Sequence, residues 1–76
     1  MNKARRKRIN ESIIILTDAQ IKLNKALEEE KSALARIAND EDKEDQRDAM
    51  EEIISNLEDA VSNLEETLDT LNNADF

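Results

Sequence analysis

Residues 49–76 read AMEEIISNLEDAVSNLEETLDTLNNADF and divide without remainder into the heptads AMEEIIS, NLEDAVS, NLEETLD and TLNNADF. The second place of each holds Met50, Leu57, Leu64 and Leu71, and the sixth place of the first three holds Ile54, Val61 and Leu68. Apolar residues recurring at alternating steps of three and four fall on one stripe of an α-helix, and a narrow stripe of this kind packs against another helix as a coiled-coil seam.

Working back toward the start, the same register returns in fainter form at Ile9, Ile13, Leu16, Leu23, Leu27, Leu34 and Ile37. Gln20 and Glu30 interrupt it where core residues are called for. Polar residues at such positions cost stability while fixing register and oligomer state. Ser12, Ala19, Ala26 and Ala33 repeat every seventh residue beside the stripe. Small residues there let a neighbouring helix approach closely. Ile53, Ala60, Thr67 and Ala74 form the equivalent, less strict column of the second helix.

Between the two stripes lies DEDKEDQRD at 40–48, with eight charges in nine positions, and the heptad register slips by one residue across it. Lys31 and Arg36 suit a helix C-terminus, Asn39 tolerates the left-handed conformation found there, and Asp40, Asp42 and Asp45 can cap the next helix. The expected fold is all-α, an antiparallel two-helix hairpin with coiled-coil packing. Its single domain has a basic segment over 1–8 that can continue helix 1, helix 1 over 9–38, an acidic turn over 39–45 and helix 2 over 46–74. Folding back sets Ile37 near Met50, Leu34 near Ile54, Leu27 near Val61, Leu23 near Leu64 and Leu16 near Leu71. The competing arrangement is one uninterrupted rod, because nothing in the charged gap is a strong helix breaker.

A hairpin of this size covers each stripe from one side only, and pairing two of them into a homodimeric four-helix bundle is the usual remedy. Ile14, Ile15 and Ile21 sit off the seam, where one hairpin cannot cover them, and Phe76, the sole aromatic residue, would come to the same end. The expected partner surface is therefore Ile9, Ile13, Ile14, Ile15, Ile21 and Phe76. It would serve a second copy or, less readily, a foreign protein.

Composition narrows function mainly by exclusion. The 76 residues include no cysteine, histidine, glycine or proline. This removes thiol chemistry, the common zinc sites, most nucleophile–base pairs and glycine-rich phosphate loops. No catalytic residues, cofactor or metal ligands are expected, and the chain is not read as an enzyme. Asp40, Asp42, Glu44, Asp48 and Glu51 match positions of a calcium loop, but Asp45 stands where that loop needs glycine, so capping explains the cluster better. The longest apolar run, residues 13–16, is far short of a membrane span. The basic start lacks the apolar region of a signal peptide, so a cytoplasmic home is expected, with no membrane partner.

Net charge is −8, but Lys3, Arg5, Arg6, Lys7 and Arg8 contribute +5, leaving 6 basic against 19 acidic residues in the remainder. The basic segment is the candidate nucleic-acid contact. An internal account competes, in which these cations neighbour Asp69 and Asp75 and each group relieves the other's unfavourable helix-dipole position. The acidic face of Glu51, Glu52, Glu58, Asp59, Glu65 and Glu66 is ordinarily a solvated surface, and the sharper alternative is mimicry of nucleic acid.

MNKARRKRI at the start and MEEIISNLEDAVSNLEETLDTL at 50–71 resemble a group of short acidic helical-hairpin proteins of phages and prophages of Gram-positive bacteria. That resemblance implies a mobile-element accessory protein working in the bacterial host cell, with no specific activity attached. The functional expectation is a non-enzymatic, self-associating hairpin acting by protein–protein contact, including inhibition of a host defence factor. A nucleic-acid-binding hairpin and an acidic nucleic-acid mimic are the alternatives.

Overall fold

The computed structural model describes residues 3–74. Helix α1 spans Lys3–Ile37, a single 3-10 turn spans Glu41–Lys43, and helix α2 spans Glu44–Asn73. A continuous helix of this length would measure roughly 110 Å at 1.5 Å per residue. The molecule measures 59 × 15 × 14 Å, so the chain folds back and the rod is ruled out. The two helices pack along their length as a hairpin. The basic segment is part of α1.

The seam follows the heptads. Leu16, Leu23, Leu34, Ile37, Met50, Leu57, Val61, Leu64 and Leu71 are half-buried, and Leu27, Ile54 and Leu68 are the most enclosed at 6%, 9% and 6% exposure. A pair of helices has one contact face, so most of its seam residues keep an edge toward solvent. Gln20 and Glu30 are half-buried on the same stripe. Their polar ends reach the rim, and no buried side-chain polar atom among the described residues lacks a partner.

The small-residue columns of the two helices behave differently. Ala19, Ala26 and Ala33 are half-buried, whereas Ser12 at the head of the α1 column and Ile53, Ala60, Thr67 and Ala74 of α2 are exposed. The expectation of a matching column on α2 is corrected: α2 leans over the alanine flank of α1 and leaves its own flank open. Thr67 and Thr70 instead donate to carbonyls one turn back, at Asn63 (2.9 Å) and Glu66 (3.0 Å).

Reversal of the chain is a polar construction. Asp40 Oδ1 accepts from the Asp42 N–H at 3.0 Å, and the Asp40 carbonyl accepts from the Lys43 N–H at 3.2 Å. The Asp40 N–H returns to the Ile37 carbonyl at 3.1 Å. No described residue has a positive φ, so Asn39 does not take the left-handed conformation. Arg47 does that work from the other side. Its Nη1 donates to the Ile37 carbonyl at 3.3 Å and to the Asp40 carbonyl, covering the C-terminal end of α1 from the first turns of α2. Arg47 lies one heptad before Ile54 on the α2 stripe and is half-buried. Its aliphatic stem prolongs the seam while its cationic head meets the negative end of the α1 dipole.

Candidate interaction surfaces

Residues 13–15 are consecutive isoleucines, and each step along a helix turns by about 100°. The run therefore cannot broaden one face. Ile13, with Ile9, is half-buried on the side toward α2. Ile14 and Ile21, seven apart, lie roughly 140° to 160° around α1 from the leucine seam and so face away from α2. Their exposures are 68% and 63%. Ile15, 68% exposed, sits on the flank between these faces, and Ile53 of α2 is 46% exposed. The predicted partner surface thus divides in two, with Ile9 and Ile13 in the hairpin's own contact and Ile14, Ile15 and Ile21 outside it. Phe76 lies outside the described residues.

Lys7 and Glu28 continue the outward stripe at the same seven-residue spacing, giving Lys7, Ile14, Ile21, Glu28. Beside it runs Glu11, Asp18, Lys25. Asp18 is held by Lys22 at 2.9 Å, one turn on. A shallow open concavity follows the first part of this face, along Lys3, Lys7, Asn10 and Ile14.

Lys3, Arg5, Arg6, Lys7 and Arg8 are exposed in the first two turns of α1, with no acidic residue in the first turn to offset them. Among the described residues no ion pair joins them to Asp69, and Asp75 lies outside those residues. α1 has 35 residues and α2 has 30. The cations occupy the first turns of the longer helix, at the end away from the turn. Their mutual repulsion and their unfavourable position on the α1 dipole persist together.

Of the carboxylates at 40–48 only Asp40 caps, accepting from the Asp42 N–H at the start of the 3-10 turn. Contrary to expectation Asp42 and Asp45 do not cap α2, which begins after Lys43 with no side-chain cap. Among the described residues no group of three or more acidic side chains is placed to hold a metal ion. Glu51, Glu52, Glu58, Asp59, Glu65 and Glu66 are all exposed on α2. No helix among the described residues is long and apolar enough to cross a membrane. The geometry defines a two-helix hairpin with an apolar outward stripe on one helix and separated basic and acidic surfaces. Comparison with protein-family models, curated proteins and solved structures finds no match.

Proposed function

We propose that the protein is a non-enzymatic interaction module of the phage or prophage accessory type. Two hairpins associate into a four-helix homodimer in the cytoplasm of a bacterial host, and the assembly acts by contact with a host protein, a defence factor among the candidates. The observation that carries self-association is the exposure of Ile14, Ile15 and Ile21 on a chain with so little interior of its own. Clustered large apolar side chains in contact with water favour association. Sedimentation equilibrium tests this part directly. Mass should rise toward twice 8.7 kDa as concentration increases to about 100 μM, and a constant 8.7 kDa would refute it.

A second reading has its own support in the exposed basic turns of α1. Five cations on one rigid helix end could neutralise phosphates of RNA or DNA, while the rest of the surface is acidic. If they do, the logarithm of affinity should fall with the logarithm of salt at a slope of about −3.5 to −4.5 for five contacts. Deleting residues 2–8 should abolish binding. A weak interaction with a shallow salt slope, unchanged by the deletion, would remove this reading.

A further inference from the structure

We infer that the outward face of α1 is a self-complementary surface, and that its occupant is α1 of a second copy laid antiparallel across a two-fold axis between Thr17 and Asp18. This rests on the self-association proposed above and specifies its geometry. Ile14 and Ile21 are 3.5 residues on either side of that axis, and Lys7 and Glu28 are 10.5 residues on either side. The two-fold operation therefore sets Ile14 beside the partner's Ile21 and Lys7 beside the partner's Glu28, twice over. An isologous interface requires a patch that complements its own rotated image, and this stripe does so.

The adjacent row obeys the same symmetry. Glu11 and Lys25 lie seven residues on either side of Asp18, so each meets its opposite charge in the partner within half a residue of the same axis. Asp18 itself falls near the axis and would face its own copy, but Lys22 at 2.9 Å balances its charge. A parallel pairing would set Lys7 against Lys7 and Glu28 against Glu28. The charges thus select orientation while the isoleucines supply the apolar contact. Heptad-spaced residues drift by about 20° per repeat on a straight helix, which suits a left-handed crossing of the two α1 helices. The resulting assembly is a layer with the α1 helices inside and the α2 helices outside.

Charge exchange tests the pairing. Lys7→Glu alone and Glu28→Lys alone should each weaken the homodimer by about 10- to 30-fold, because two attractive pairs become repulsive. Mixing the two variants should restore association as a heterodimer, in which both pairs are again opposite. The double variant K7E/E28K should dimerise like the parent. Both positions are exposed, so circular dichroism should show the hairpin intact. Small-angle scattering of the parent supplies an independent measurement: antiparallel overlap about residues 17 and 18 gives a longest dimension of about 75 Å, against about 60 Å for a parallel pair. A parent that dimerises with no response to either single substitution, or with the shorter dimension, overturns this pairing and leaves self-association standing. A parent that stays monomeric overturns both.

Discussion

Leu27→Ala is expected to remove about 2–3 kcal/mol of hairpin stability, whereas Ile14→Ala should change it by less than about 0.5 kcal/mol. Both substitutions delete a branched aliphatic side chain from the middle of a helix. They differ in what surrounds it. Leu27 is 6% exposed and packed against α2, while Ile14 is 68% exposed and faces away from it. Truncating Leu27 therefore loses transfer free energy and leaves a gap that helices spanning the whole length of the molecule cannot easily close. Truncating Ile14 exposes nothing new, and alanine's better helix propensity partly offsets any loss. A domain of this size has only about 4–11 kcal/mol in total, so Leu27→Ala consumes a large share. Leu68→Ala, also at a 6% exposed position, should behave like Leu27→Ala. Urea titrations followed by circular dichroism at concentrations too low for association would show the midpoint falling for the two leucine variants only. Equal midpoints for Leu27→Ala and Ile14→Ala would mean that the seam and the outward stripe are not distinct. At higher concentration the order should change, because Ile14→Ala then removes contact with the second copy.

Much of this architecture was legible from periodicity because a helix converts sequence spacing directly into direction. The alternation of threes and fours put Leu23, Leu27, Ile54, Val61 and Leu68 on facing stripes, and the charged segment between them marked where the stripes part. The same rule, applied residue by residue at 13–15, separates Ile14 from Ile13 and gives Ile14 and Ile21 an outward surface of their own. What periodicity could not supply was anything set by contacts distant in sequence. The cap on α1 comes not from Asn39 but from Arg47, ten residues beyond the carbonyl of Ile37 that it covers. Heptad counting flags 47 as a core position and gives no hint that a cation there faces a helix end. The open flank at Ala60 and Thr67 is similarly a consequence of how α2 leans, which two similar stripes leave undetermined. Biological role was the least legible of all. Binding surfaces made of isoleucine, lysine and glutamate have no spacing signature of the kind that metal sites or nucleotide loops impose.

Arg47→Met should destabilise the reversal by about 1–2 kcal/mol while leaving both helices formed. Methionine keeps an apolar stem on the α2 stripe and removes only the guanidinium, so the loss reports the hydrogen bonds to the carbonyls of Ile37 and Asp40. The Ile37 carbonyl is the last of α1, where a cation is favoured by the helix dipole as well as by the bond itself, and the Asp40 carbonyl opens the 3-10 turn that follows. Arg47→Ala should cost more, since the stem's packing is lost too. Arg47→Lys should recover only part of the difference: it keeps the charge at the helix end, but a more strongly hydrated ammonium on a different stem does not set its nitrogen where Nη1 meets both carbonyls. Amide hydrogen exchange locates the effect: Asp40 and Lys43, whose N–H groups hold the turn through bonds of 3.1 and 3.2 Å, should exchange faster, with the amides around Leu27 changing much less. Uniform acceleration along both helices would indicate that Arg47 supports the packing of the seam as a whole. No acceleration at the turn would show that Asp40, by accepting from Asp42 and Lys43, is sufficient to reverse the chain. The absence of glycine and proline makes this a sensitive place to test, since nothing covalent in 38–43 forbids the helix from running straight on once the polar contacts are weakened.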